Sequence, residues 1–437
     1  MNKIKSKVTS IFRWLQPGLG VKRWILAILL GTTIIAIGLA VFVIDYYRGT
    51  SETWWLTLVS LATLRSLPKI ARVIVFEAFG TGIIIWGVIG LNKSLLGPFL
   101  RPGHNIVDRL EKHQSRKHGP KIVAIGGGHG LATLLRGLKG VSHNIYAVVT
   151  VADDGGSSGR LRESLGILPP GDVRNCLAAL SDDEDLLAQL FQYRFTNNED
   201  GYLKGHSFGN LFISSMAEIT GSFEQAIAES GRVLAVSGRV LPATLENVKL
   251  IANIWGDKDN EVKRIVGESK ITETSGVIQQ VMLEPGNPSA YPEVIQSVLS
   301  ADLVVVGPGS LYTSLIPNLL VRDITSAIRA SQALKIFICN VATQMGETEG
   351  YSCGDHLRVV EEHAGSNLFD IIVANDVAPT KFNQNVEGVR IEDELQMKYN
   401  VYKTDLIDVE NPWRHDSEKI AQTLMDLLRE RTGPLTM

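Results

Sequence analysis

Five short stretches of this chain carry residue types that could do chemistry, and four of them follow an apolar run. Gly126-Gly127-Gly128-His129-Gly130 follows residues 122–125. Asp153 and Asp154 close the apolar run 144–152 and precede Gly155-Gly156-Ser157-Ser158. Gly307-Pro308-Gly309-Ser310 ends the run 302–306, and Asn340 and Thr343 follow the run 335–339. Gly205-His206-Ser207-Phe208-Gly209-Asn210 opens a helical pattern that runs to residue 220. Glycine between a strand and a helix lets backbone N–H groups approach an anion without a Cβ in the way. Adjacent carboxylates at a strand's carboxyl end can hold Mg2+ or accept from ribose hydroxyls. Arg414, near the end of the chain, offers a fork of donors that suits a phosphate. Each stretch also has a plainer reading: a tight turn, a polar loop, a capping histidine, a surface charge. The GGGxG spacing is not a strict G-x-G-x-x-G, which argues against a nicotinamide dehydrogenase.

The elements that must position these residues are short apolar runs alternating with amphipathic helical patterns. Leu131, Leu134, Leu135 and Leu138 line one face after the first glycine turn. Asp172, after Leu168-Pro169-Pro170-Gly171, reads as the N-cap of a following helix. The pattern predicts a Rossmann-like, doubly wound, mainly parallel α/β sheet. Residues 237–285 alternate instead, with strands expected at 240–244, 249–255, 263–268 and 278–284, an antiparallel insert or edge extension. Several strands ending in small polar clusters point to one crevice for a phosphate-bearing, nucleotide-like ligand.

The first 120 residues differ. Residues 24–44 are uncharged over a length that spans a bilayer as a helix, and residues 73–91 are interrupted only by Glu77. Basic residues precede the first run and follow the second, so the positive-inside rule places both termini in the cytoplasm. The expectation is a multi-pass inner-membrane hairpin over 1–100, then a basic linker over 101–120 lying near anionic lipid head groups. The soluble domain then runs from 121 to 437. A net charge of −3 and a pI near 6.3 give no electrostatic case for nucleic acid. Three cysteines, Cys176, Cys339 and Cys353, read as free thiols of a reducing compartment.

The long motifs resemble a known family. GGGxGLxxLLRGLK at 126–139, VTVADDGGSSGRLR at 149–162, LPPGDVRNCLxAL at 168–180 and GHSFGNL at 205–211 are similar to those of the bacterial gluconeogenesis factor (YvcK-type) family. GPGSLYTSLIPNLLV at 307–321, ICNVxTQxGETxGY at 338–351 and RHD at 414–416 match it as well. This is a branch of the superfamily that includes the CofD-type 2-phospho-L-lactate transferase. The resemblance covers 121 onward and not the membrane portion, so the chain looks like a membrane-tethered variant, with His129 where the family usually has Thr. The resemblance implies binding of UDP-sugars such as UDP-N-acetylglucosamine, and a role in carbon metabolism, cell shape and wall growth with wall-synthesis proteins as partners. It brings no established catalytic activity and no established cofactor beyond a Mg2+ that Asp153 and Asp154 could hold, and a homo-oligomer is compatible with it. Its candidate ligand contacts are Gly126, Gly127, Gly128, Gly130, Asp153, Asp154, His206, Ser207, Asn210, Gly307, Gly309, Ser310, Asn340, Thr343 and Arg414. The alternative it leaves open is a CofD-like transferase moving a phospho-group from a nucleotide diphosphate.

Overall fold

The computed structural model describes residues 119–432, apart from 182–183, 197–202, 257–260 and 378–385, together with residues 32, 33, 36, 40, 68 and 71. The chain divides into two units, Met1–Gln114 and Ser115–Met437. Among the described residues no helix is long and apolar enough to cross a membrane. The expected spans 24–44 and 73–91 lie outside the described residues, save for 32, 33, 36 and 40, which are helical.

Seven parallel strands form the main sheet of the second unit. They are β1 (Ile122–Gly126), β2 (Ile145–Val149), β3 (Arg239–Pro242), β7 (Leu303–Val306), β8 (Leu334–Ile338), β9 (Ile371–Asn375) and β10 (Val401–Thr404). Their order is β10-β9-β8-β7-β1-β2-β3, with Ile122 paired to Ile145 on one side and to Leu303 on the other. The chain therefore builds outward from β1 to β3, then returns to lay β7 on the opposite side of β1. Such a reversal leaves a crevice beyond the carboxyl ends of β1 and β7. Runs such as Ile122–Ile125 and Leu303–Val306 are fully buried because helices cover both faces of the sheet.

Helices Gly128–Leu138 and Ser417–Thr432 cross closely: a Cβ on Gly137 would collide with the Ser417 carbonyl. Among the described residues five helices, from Gly156–Leu165 to Phe223–Val233, separate β2 from β3. The antiparallel insert is real but smaller than the sequence pattern suggests. Its three strands are β4 (Lys249–Trp255), β5 (Val262–Val266) and β6 (Val277–Glu284), in the order β5-β4-β6. The expected strand at 240–244 instead joins the main sheet in parallel beside β2. Residues 263–268 were expected to be extended throughout, but Glu268 starts a short helix, Glu268–Glu273. That helix folds back over the crevice.

Candidate functional site

The glycines after β1 serve close packing of protein on protein. Gly128 adopts φ +60, and a Cβ on Gly130 would strike the Pro308 carbonyl of the loop after β7. A Cβ on Gly127 would stand 2.6 Å from Asp172 Oδ2. Asp172 is not the N-cap of its helix, Gly171–Leu180; Pro170 holds that position. Its carboxyl reaches across the crevice to lie against the Gly127–Gly128 backbone. Burial, and then the charge of Asp153, push its pKa up to about 7.

The loop after β7 is braced in the same way. Gly307 takes φ +89, and Asn340 clamps the next glycine, accepting the Gly309 N–H at 3.2 Å and donating to the Gly309 carbonyl at 2.8 Å. Ser310 Oγ donates to Gln344 at 2.8 Å. The buried carboxylate of Glu347 accepts the Tyr312 N–H at 3.1 Å and the Thr313 hydroxyl at 2.8 Å. Thr343 pairs with Glu387: its N–H donates to the Glu387 carbonyl and its hydroxyl accepts the Glu387 N–H. Helix starts are positive, so carboxylates there are favourable. At both glycine loops the helix start thus meets an internal acid.

Asp153 and Asp154 face the same space from the end of β2. Asp153 accepts the Gly155 N–H at 2.8 Å, and burial raises its pKa. Asp154 accepts the Ser269 N–H at 2.9 Å, which ties the insert to the crevice. Beside it, burial and the charges of Asp153, Asp172, Asp154 and Glu347 push Glu268 up to about 8. The like charges of Asp153 and its neighbours thus disfavour the ionised forms of Asp172 and Glu268.

The GHSFGN stretch lies behind this wall. Ser207 caps helix Phe208–Thr220 and accepts from Arg174 Nη1 at 2.6 Å. Ser157 Oγ meets His206 Nδ1 at 3.0 Å and the Asn210 amide nitrogen at 3.1 Å. All three residues are buried, so they shape the crevice from beneath. At the mouth, His415 anchors the RHD turn by bonding the Cys339 carbonyl at 3.2 Å, at the end of β8. Burial pushes its pKa down to about 4, so it is neutral. Arg414 is exposed, and among the described residues its guanidinium makes no hydrogen bond or ion pair. Burial and the charges of Arg414, Arg174 and Arg136 lower the pKa of His129.

The structure therefore gathers Gly126, Gly127, Gly128, Gly130, Asp153, Asp154, Gly307, Gly309, Ser310 and Asn340 around one crevice, with Arg414 at its rim. It sets His206, Ser207 and Asn210 behind the crevice and makes Thr343 a brace of the β8 loop. Sequence reasoning missed Arg174, Glu268 and Glu347 and misassigned Asp172. Glu347 stands inside a quoted motif, whereas Glu268 comes from the insert and carries no local signal. Among the described residues no group of three or more His, Cys, Asp or Glu side chains is arranged to hold a metal.

Fold and crevice define a Rossmann-like α/β protein whose site lies at the switch point of the sheet. The chain belongs to the CofD family: the family model for 2-phospho-L-lactate transferase CofD matches residues 122–431. A relative from Nostoc sp. is 48% identical over 385 residues, covering 87% of this chain and 82% of its own. The gluconeogenesis factor of Bacillus subtilis is 46% identical over 320 residues, 71% of this chain and 99% of its own. The crystal structure of a UPF0052 family member from Bacillus halodurans is similar at TM-score 0.64 and 42% identity, covering 70% of this chain and 99% of that one.

Proposed function

We propose that this chain is a gluconeogenesis-factor-type regulator that binds a UDP-sugar of the UDP-N-acetylglucosamine class. The reading adds a tether at the inner face of the cytoplasmic membrane, through residues 1–100, and a signal of precursor supply to wall-synthesis proteins. One observation carries it: the loops after β1, β2, β7 and β8 converge on a single crevice, under an arginine whose donors are unspent. A diphosphate between Arg414 and the glycine loops would use those donors. The carboxylates of Asp153 and Asp154, joined by Asp172 and Glu268 as pH rises, repel a bare diphosphate. The ligand therefore enters with Mg2+, held by Asp153 or Asp154 and by the ligand's own phosphate oxygens. The experiment is isothermal titration of the full-length chain with UDP-N-acetylglucosamine, with and without Mg2+. Binding in the micromolar range is expected, and no heat at millimolar ligand sinks the reading.

The same carboxylates favour a second reading, a CofD-like transferase in which a divalent cation steadies a departing nucleotide phosphate. Release of a nucleotide monophosphate from a nucleotide diphosphate donor in a coupled assay would decide for it.

A further inference from the structure

The antiparallel insert is fastened to the rest of its domain along one outer edge of its own sheet. In the order β5-β4-β6, strand β6 pairs with β4 on one side only. On its other side two backbone groups are met by side chains. Tyr312 Oη donates to the Ile278 carbonyl at 3.3 Å, and the Val281 N–H donates to His363 Nε2 at 3.1 Å. His363 lies on helix Cys353–Ala364, and its Nδ1 stands 2.7 Å from the Val359 carbonyl one turn earlier. A carbonyl only accepts and a backbone N–H only donates, so the ring is the neutral Nδ1–H tautomer with its lone pair on Val281. A second proton, on Nε2, would set two donors face to face. Beside the ring a cavity of about 240 Å³ is lined by Asn253, Gln279, Gln280 and Glu362. From β4 and β6 these are amides; from its own helix Glu362 offers a counter-charge to an imidazolium, and the Tyr312 ring packs edge-on at 6.3 Å. Holding β6 also holds what lies over the crevice. Helix Glu268–Glu273 is the connection from β5 to β6. Near its start the Ser269 N–H donates to Asp154, after β2, at 2.9 Å. Near its end the Thr272 carbonyl passes so close to Gly346, after β8, that a Cβ there would be 2.8 Å away. The helix therefore bridges from the loop after β2 to the loop after β8, and β7 and β1 lie between those strands in the sheet.

We propose that His363 is a proton-sensitive latch that holds the insert, and with it helix Glu268–Glu273, closed over the crevice. With the ring neutral, β6 keeps its Val281 bond and the helix stays across the opening. When Nε2 takes up a proton, the Val281 N–H loses its acceptor and turns to water, and β6 loosens on helix Cys353–Ala364. The crevice helix runs into β6 within a few residues, so it loosens too. The latch is closed at the higher pH and open at the lower, whatever ligand the crevice takes.

The test is hydrogen exchange of the full-length chain, read by mass spectrometry at about pH 7.5 and about pH 5.5, either side of the ordinary imidazole range. Protection is corrected for the intrinsic exchange rate at each pH, and peptides of β1 report on the main sheet. In the wild type, protection across 277–284 should fall by about tenfold or more at the lower pH while that of β1 holds, and 267–276 should open with it. His363→Gln places an amide oxygen where Nε2 stands and does not titrate, so it should keep the protection at both values. His363→Phe keeps a ring without an acceptor and should lose the protection at both, with unchanged β1 peptides showing that the fold survives. Equal protection at the two values in the wild type, or the same fall in His363→Gln, overturns the latch. A fall confined to 277–284, with 267–276 still protected, also overturns it, because His363 then braces one strand and closes nothing.

Discussion

Arg414 gives the sharpest test at the scale of single residues. Its guanidinium stands exposed at the rim, and its turn is pinned by His415 to the end of β8. If it pairs with a diphosphate, Arg414→Ala removes a charge-assisted bond of roughly 1.5–3 kcal/mol, about ten- to a hundredfold in Kd by titration, with the melting temperature unchanged. His415 has the opposite profile. Its folded pKa, near 4, lies below the ordinary 6.5, so the unfolded chain takes up the proton first. Its contribution is complete above pH 6.5 and is lost as pH falls towards 4. Urea unfolding at pH 5 should show roughly 2 kcal/mol less stability from this group than at pH 7, and His415→Gln should abolish that share. Asp172 and Glu268 titrate the other way: their folded pKa values, about 7 and 8, are raised, so ionising them costs stability as pH rises. A divalent cation that relieves this crowding should raise the melting temperature more at about pH 8.5 than at about pH 6, read by scanning calorimetry. Equal shifts at both would deny the acids a shared cation.

Among the elements, the glycine loops matter through what they touch. Gly130 lets helix Gly128–Leu138 begin against the Pro308 carbonyl, and that contact closes the crevice between β1 and β7. Gly130→Ala should cost about 1–3 kcal/mol by chemical unfolding, because backbone must move to admit the methyl. The Glu347 carboxylate orders the turn after β7 by accepting three donors, from Tyr312, Thr313 and Gln344. Glu347→Ala should strand them and destabilise the protein by roughly 2–4 kcal/mol, with Glu347→Gln losing less. At this scale the sequence was readable where local pattern decides. The strand–glycine–helix unit at 122–138 and the apolar runs of β7 and β8 stand within a residue or two of their expected places. It was unreadable where the partner is distant. Residues 240–244 look like one more alternating strand, and only pairing with β2 puts them in the parallel sheet.

For the molecule as a whole, the relatives carry an argument about its parts. The Bacillus subtilis relative aligns over 99% of its own length with 71% of this chain, so a protein of that extent stands as a complete chain. Residues 119–437 alone should therefore fold with a cooperative melt and remain in the supernatant on ultracentrifugation. The full-length chain should partition with membranes if 24–44 and 73–91 span a bilayer, as their composition leads one to expect. Recovery of the full-length chain wholly in the supernatant would refute the tether.

By itself the sequence determined the class of fold, the family and the identity of the crevice loops. Apolar period, glycine placement and terminal polar clusters are local properties, written residue by residue. The tertiary structure alone decided what those loops hold. Strand order brings β7 beside β1 and lowers Asp172 and Glu347 onto the two helix starts; the same packing folds Glu268 in from the insert and leaves Arg174 Nε without an acceptor. The physical reason is distance along the chain. A hydrogen bond or a like-charge repulsion depends on separation in space, and no spacing in the sequence encodes the approach of residue 172 to residue 128.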